Sequence, residues 1–274
     1  EDYDPEEGMD VMQRGSLLHA ILEDLYRKLT VDGIALNPET QGQILSELDD
    51  VCEEVFASAP QKLGFRPNAL WQYEQRELKN LLAALIRWEC ENPGLYLSFE
   101  QELRFGVKGS SHPSYPLLTS TGESFLLHGV VDRIDRTENG ELRILDYKSG
   151  STKYSKGDMA QGLALQNPLY AAIVNSLLEM PVLSSAYLLI PKRDFSGKLQ
   201  FNDGNPAEDK TVQSAIAQVG NFVDRIRSGL FPSLPVKPSG GKLACSTYCP
   251  FSSMCRVSRR SVAKVRRMEV QDAS

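Results

Sequence analysis

The chain has 274 residues, of which 41% are apolar and 24% charged, a composition that predicts one large globular domain or two small ones. It contains no run of about 18 apolar residues, which excludes a membrane span. Its start, EDYDPEEGMD, lacks the basic region and the apolar core of a signal peptide. We therefore expect a cytoplasmic protein without a membrane partner. Because the chain begins at Glu1 rather than at methionine, we also expect it to be a piece of a longer polypeptide.

The net charge of −6 is unevenly distributed along the chain. Residues 235–274 carry eight basic and two acidic side chains, so this tail is +6 and the rest of the chain is −12. A basic tail can contact a polyanion, but a solvated basic helix explains the same charges equally well.

Three segments in the first third of the chain have apolar residues at helical spacing. In residues 10–29, leucines recur every three or four positions until VDG ends the pattern. Two further helices are predicted over 40–59 and 68–92, the second closed by Pro-Gly. We therefore expect residues 1–92 to form an N-terminal helical section.

Strand patterns follow this section. They cover 95–109, 123–137 and 141–150, and the Asn139-Gly140 pair between the last two is typical of a hairpin turn. The simplest interpretation is a β-meander.

The chain then returns to helices. A helix is predicted from about Met159 to Met180, a strand over 183–192 and a helix over 208–230. We therefore expect an α/β core at 1–234, with its sheet within 93–234. A linker rich in proline and glycine leads into the tail, 235–274.

The hairpin GVVDRIDRTENGELRILDYKSG, residues 129–150, carries acids within apolar strands. Alternate strand residues share a face, and pairing across the turn can bring Asp132 near Asp146. Adjacent carboxylates repel unless a cation lies between them, and a divalent metal suits that position. Lys148 can then act on a water or a phosphate, which fits phosphodiester hydrolysis. Taken alone, the triplet also fits a surface hairpin with cross-strand salt bridges.

Other motifs accompany the hairpin in a fixed order. RGSLLHAILEDLY has the form G-x-x-x-H-x-x-L-E, ELRFG has E-x-x-F-G, and QNPLY has Q-x-x-x-Y, around GVVDRID and ILDYKSG. This series resembles the RecB-like branch of the PD-(D/E)XK nuclease superfamily, with ELRFG the weaker match. The resemblance covers about residues 9–260. It implies a restriction-endonuclease-like core, a central mixed β-sheet flanked by helices.

The resemblance also implies roles for individual residues. The catalytic residues it implies are Asp132, Asp146, Lys148, Gln166 and Tyr170. The ligands it implies for Mg²⁺ or Mn²⁺ are His19, Asp132, Asp146 and the main-chain carbonyl of Tyr147. This shell is mostly oxygen, as both ions prefer. Glu102 and Glu23 are weaker members of the site.

Three cysteines in ACSTYCPFSSMCR, Cys245, Cys249 and Cys255, are spaced C-x3-C-x5-C and predict a zinc or iron-sulfur site. AddB-type helicase-nuclease subunits carry a similar trio, usually C-x2-C-x5-C, and a fourth cysteine before the histidine helix. The resemblance therefore implies a [4Fe-4S] cluster. Here the first gap is longer, and no cysteine precedes His19. Either the fourth ligand lies upstream, or Cys52 or Cys90 replaces it, or no cluster forms.

These patterns favour a metal-dependent DNA exonuclease domain of AddB type. The resemblance implies that it belongs to a helicase-nuclease of double-strand break repair and recombination, with DNA and a helicase domain or subunit as partners. One alternative is a catalytically silent DNA-binding or scaffold module of such a complex. Another is a relative of the CRISPR-adaptation exonucleases, which the long helical stretch between His19 and the sheet disfavours.

Overall fold

The structure of the protein is a computed structural model that describes residues 8–230. Its first elements are helices α1 (Val11–Asp32), α2 (Gln41–Leu63) and α3 (Trp71–Glu91), which confirms the three predicted helices. Asp10 caps α1, since its side chain accepts a hydrogen bond from the Gln13 main-chain N–H. Gly33 ends α1 in the left-handed conformation, with φ 66°.

The rest of the described chain alternates strands with helices. Its elements are β1 (Leu97–Phe105), β2 (Tyr115–Leu118), β3 (Ser124–Leu127), β4 (Gly129–Arg136), β5 (Leu142–Lys148), α4 (Lys156–Ala160), α5 (Gln166–Leu178), β6 (Val182–Leu189), β7 (Asp194–Gln200) and α6 (Lys210–Arg227). Within the described residues, five strands form a sheet in the order β1-β4-β5-β6-β7. The β5-β6 pair is parallel and the other pairs are antiparallel. The expected central mixed sheet is therefore confirmed.

Several predicted boundaries are wrong. A continuous helix from Met159 to Met180 does not form, because Gly162, with φ 80°, ends the first piece and α5 starts anew at Gln166. Pro168 lies in the first turn of α5, where a main-chain N–H has no partner within the helix. The predicted strand over 123–137 is interrupted at His128, and strands β2 and β7 were not predicted.

The sheet is covered on both faces. Leu145, Tyr147 and Leu188 share one buried apolar cluster with side chains of α1, α2 and α3. Helix α5 packs against β5 and β6. Its Asn167 side chain donates a hydrogen bond to the Gly197 carbonyl at 2.7 Å. Burial on two sides explains why β5 and β6 are nearly continuous apolar runs.

The described residues fall into two compact units. The larger contains 8–117 and 124–216, with the five-stranded sheet and helices α1 to α5. The smaller contains 118–123 and 217–230, in which Arg227 pairs with Glu123 at 2.6 Å and Thr121 donates to Asp224 at 3.0 Å. No helix in the described part of the chain has the length and apolarity needed to cross a bilayer.

Gly129, the first residue of β4, lies in close packing. A Cβ added there would lie 2.9 Å from Cζ of Phe105 and 3.3 Å from the hydroxyl of Tyr170. We predict that Gly129→Ala lowers the free energy of unfolding by about 1–3 kcal/mol, because the ring must shift. Urea denaturation measures this. Gly42→Ala in α2 is the matched control, since nothing lies within 4 Å of the added methyl. Equal loss in both variants would contradict the packing argument.

Candidate metal and catalytic site

Three neighbouring strands place three carboxylates in one row. In the β1-β4 register, Gln101 pairs with Arg133 and Leu103 with Val131, so the intervening Glu102 and Asp132 lie opposite each other. In the β4-β5 register, Arg133 pairs with Leu145, so the next residues along the two strands are Asp132 and Asp146. Directly opposed residues have their Cβ atoms about 5 Å apart. The fold thus brings together acids that are far apart in the sequence.

Glu102 has an unusual main-chain conformation for a strand residue. Its φ is 52°, in the left-handed region that side chains other than glycine rarely adopt. Such a conformation costs of the order of 1–3 kcal/mol and occurs most often at functional sites. Its side chain reaches His19 and Asp132, which gives Glu102 a stronger place in the site than its weak motif match suggested.

His19 joins the row from α1. Its Nδ1 lies 3.5 Å from Oδ1 of Asp132, and its ring packs edge-on against Tyr147 with 5.7 Å between ring centroids. One ligand atom each from His19, Glu102 and Asp132 lies within 4.8 Å of the other two. Ligands on opposite sides of a Mg²⁺ ion would be about 4.2 Å apart. The three side chains therefore fit a divalent cation with small adjustments.

Asp132 and Asp146 are held in different ways. Oδ2 of Asp132 accepts a hydrogen bond from the main-chain N–H of Tyr147 at 2.7 Å. Asp146 is 1% exposed, and its Oδ2 lies 2.6 Å from Nζ of Lys148. Oδ1 of Asp146 is buried without a hydrogen-bond partner among the described residues. A buried carboxylate oxygen with no partner is costly, and a bound cation would satisfy it.

The electrostatics of the row also favour a cation. Burial, and then the charge of Asp132, raise the pKa of Glu102 to about 7. Burial and the same charge raise the pKa of Asp146 to about 6, against the effect of Lys148. Burial lowers the pKa of His19, but Asp132 and the other acids raise it above its usual value overall. Uncompensated negative charge in a partly dry site is relieved by a metal ion.

Lys148 connects the acids to helix α5. Its Nζ donates a hydrogen bond to Oε1 of Gln166 at 2.7 Å, and Gln166 is the first residue of α5. Tyr170 lies one turn later and interacts with the Gln166 side chain, with its ring edge-on to Phe105 at 6.2 Å. All five residues of the predicted catalytic set therefore lie in one connected group.

A cavity of about 510 Å³ opens beside this group. Its lining includes His19 and Lys148 from the site, with Met12, Ser16 and Tyr154 around them. This cavity gives a substrate access to the histidine and the lysine at the end of the acidic row.

Other predicted residues have different surroundings. Glu23 forms an ion pair with Arg27, one turn along the same helix. Cys245, Cys249 and Cys255 lie outside the described residues. Cys52 and Cys90, the suggested substitutes for a fourth cluster ligand, are buried, and burial raises their thiol pKa to about 12 and about 11. Because iron binds the thiolate, this burial disfavours both as ligands.

Sequence reasoning missed a buried charge cluster next to this site. Arg133 and Asp135 were considered only as partners in surface salt bridges, whereas the structure buries both of them together with Glu89 of α3. A signal for Glu89 was available. It continues the apolar series Leu78, Leu82, Leu85 and Ile86 at helical spacing, which predicts that its carboxylate faces the core.

Comparison with known proteins agrees with this geometry. The family model of the PD-(D/E)XK nuclease superfamily matches residues 1–256. This chain belongs to that superfamily. Its five-stranded mixed sheet and flanking helices agree with the restriction-endonuclease-like fold that the sequence motifs implied.

The curated relatives are subunits of one kind of enzyme, the AddB-type subunits of an "ATP-dependent helicase/deoxyribonuclease". The one from Clostridioides difficile is 26% identical over 210 residues, which are 74% of this chain and 18% of that protein. The one from Desulfitobacterium hafniense is 31% identical over 158 residues, which are 56% of this chain and 13% of that protein. The chain thus spans less than a fifth of the length of these relatives, and the AddB-type resemblance is confirmed.

Proposed function

We propose that this PD-(D/E)XK domain is a Mg²⁺- or Mn²⁺-dependent deoxyribonuclease that hydrolyses phosphodiester bonds from DNA ends. The observation that carries the proposal is the group formed by His19, Glu102 and Asp132. It lies beside the buried Asp146, whose Oδ1 has no partner in the described part of the chain. We include Asp146 and the carbonyl of Tyr147 among the metal ligands, as the motifs imply.

The residues of the site have complementary roles in hydrolysis. When bound, a divalent ion withdraws charge from the phosphate and lowers the pKa of water. A water oxygen bonds to phosphorus, the bond to the leaving ribose oxygen breaks, and a proton is transferred to that oxygen. Lys148, fixed between Asp146 and Gln166, presents a positive charge to the phosphate as negative charge accumulates. Gln166 and Tyr170 hold this lysine and the approaching backbone in place.

The relatives support a wider setting for this activity. Their shared name combines a helicase with a deoxyribonuclease. We propose that the present chain is the nuclease part of such a helicase-nuclease, with DNA and a helicase region as partners, in double-strand break repair. We further propose that Cys245, Cys249 and Cys255 bind a [4Fe-4S] cluster in the complete protein. Anaerobic purification with iron and sulfide analysis tests the cluster, and an iron-free protein that contains zinc would contradict it.

The central experiment uses the chain with end-labelled linear DNA and with closed circular DNA of the same sequence. We expect mononucleotides or short fragments from linear DNA in Mg²⁺ or Mn²⁺, no products in EDTA, and intact circles. Degradation of circles at the same rate would contradict the exonuclease assignment. Equal degradation in EDTA would contradict the metal requirement.

Metal binding is predicted to depend strongly on pH. Protons compete with the metal for Asp146 below about pH 6 and for Glu102 below about pH 7, so affinity is full above these values and lost as pH falls through them. If both acids are ligands, the Kd for Mn²⁺ rises roughly 20-fold between pH 8 and pH 6. Calorimetric titration at the two pH values measures this. Glu102→Gln is expected to show a weaker dependence, and a wild-type Kd independent of pH would contradict the assignment.

A further inference from the structure

A buried charge cluster lies behind the strand that carries Asp132. Nη1 of Arg133 lies 2.9 Å from Oε1 of Glu89, and Nε of Arg133 lies 2.6 Å from Oδ1 of Asp135. Nη2 of Arg143 lies 2.6 Å from Oδ2 of Asp135. The Arg133 guanidinium lies 4.0 Å above the ring of Tyr26, whose hydroxyl donates to Glu89. We call these five residues the Arg133 network.

The Arg133 network is balanced in charge and almost dry. Its two guanidinium groups face two carboxylates, and Arg133, Asp135 and Glu89 are 1%, 0% and 7% exposed. Such a group is stable only while every member keeps its partners, because removing one leaves an uncompensated buried charge. Its members come from α1, α3, β4 and β5, so it fixes these four elements relative to one another.

The network adjoins the metal site along the chain and in space. Arg133 directly follows Asp132, and alternate residues on a strand point to opposite sides. Tyr147 is buried close enough to Arg133 and Glu89 to interact electrostatically with both. The main-chain N–H of Tyr147 orients Asp132, and its ring packs against His19. A shift of Arg133 would therefore move groups that hold two of the metal ligands.

We propose that Glu89 is a positioning residue for the metal site. From α3, and outside every nuclease motif in the sequence, it anchors Arg133 and thereby fixes the geometry of Asp132, Tyr147 and His19. This inference rests on the proposed function, since it assumes that these residues bind a divalent ion. Outer partners of metal ligands typically change metal affinity by 10- to 100-fold when they are replaced.

The test compares Glu89→Gln with a control on the same helix. Ile86→Val removes one buried methylene three residues earlier, without touching the network. Mn²⁺ binding is measured by calorimetry on the complete chain at pH 8, and folding by circular dichroism in urea. We expect the Kd of Glu89→Gln to rise about 10-fold. The control is expected to be less stable than wild type but to keep its Kd within about twofold, because its substitution lies away from the ligands.

A second variant keeps the test decisive if Glu89→Gln does not fold. Tyr26→Phe removes the hydrogen bond to Glu89 without changing any charge, and a Kd raised about threefold is expected for loss of one such bond. In nuclease assays, a positioning role raises the Mn²⁺ concentration for half-maximal rate, whereas partial unfolding lowers only the maximal rate. A wild-type Kd in the folded Glu89→Gln variant, or in Tyr26→Phe, would overturn the proposal. If wild type itself bound no Mn²⁺, the proposed function would fail as well.

Discussion

Replacement of Asp132 by asparagine is expected to abolish metal binding and lower the rate of DNA hydrolysis by about 10³-fold, which corresponds to about 4 kcal/mol of transition-state stabilisation. Asp132 occupies the middle of the acidic row, next to His19 on one side and Glu102 and Asp146 on the others. Asparagine keeps an oxygen that can accept the Tyr147 N–H but removes the charge that a cation needs. Rates on end-labelled DNA and Mn²⁺ calorimetry measure the two losses.

The same substitution is expected to leave the fold intact. It relieves repulsion between buried carboxylates, so the free energy of unfolding without metal should equal or exceed that of wild type. The control is Asp49→Asn in α2, where the aspartate is exposed and pairs with Lys79 at 2.9 Å. This variant should keep wild-type activity. Unfolding of Asp132→Asn, or equal losses of activity in both variants, would argue against a specific role of Asp132.

Replacement of Lys148 by methionine is expected to separate metal binding from catalysis. The positive charge of Lys148 lies 2.6 Å from Asp146, where it competes with a cation for that carboxylate. At pH 8 the variant should therefore bind Mn²⁺ as tightly as wild type or more tightly. Its hydrolysis rate at saturating Mn²⁺ should fall about 10²- to 10³-fold, because one donor to the phosphate is lost.

The control for this variant lies in the following loop. Lys153 is exposed and pairs with Asp194 at 2.7 Å, so Lys153→Met removes an equal charge outside the site. Its rate should stay within about twofold of wild type, as is usual for exposed pairs. If Lys148→Met lost Mn²⁺ binding together with activity, Lys148 would be a structural part of the metal site rather than a group that acts on the phosphate.

The local parts of this site were predictable from sequence, and the reason is its motif spacing. Asp132 and Asp146 flank a short turn, so hairpin pairing alone brings them together. Gln166 and Tyr170 lie one helical turn apart, so one face of α5 presents both. His19 was assigned through the resemblance, because no pattern in the sequence says which strand a distant helix will cover.

What the sequence did not reveal depends on long-range packing. The importance of Glu102 follows from its register opposite Asp132 and from its left-handed main chain, neither of which leaves a mark in its own segment. The burial of Arg133 was also missed, since its charge suggested an exposed hairpin while its partner Glu89 lies 44 residues earlier. Strand β7 contains glycine and charged residues and gains its order by pairing with β6.

The most direct test of the metal site is anomalous diffraction from crystals of the chain soaked in Mn²⁺ at pH 8. We predict a manganese peak about 2.0–2.3 Å from a carboxylate oxygen of Asp132 and from a ring nitrogen of His19, with Glu102 or Asp146 completing the protein ligands. A peak elsewhere on the surface, or no peak near Asp132 at millimolar Mn²⁺, would contradict the account.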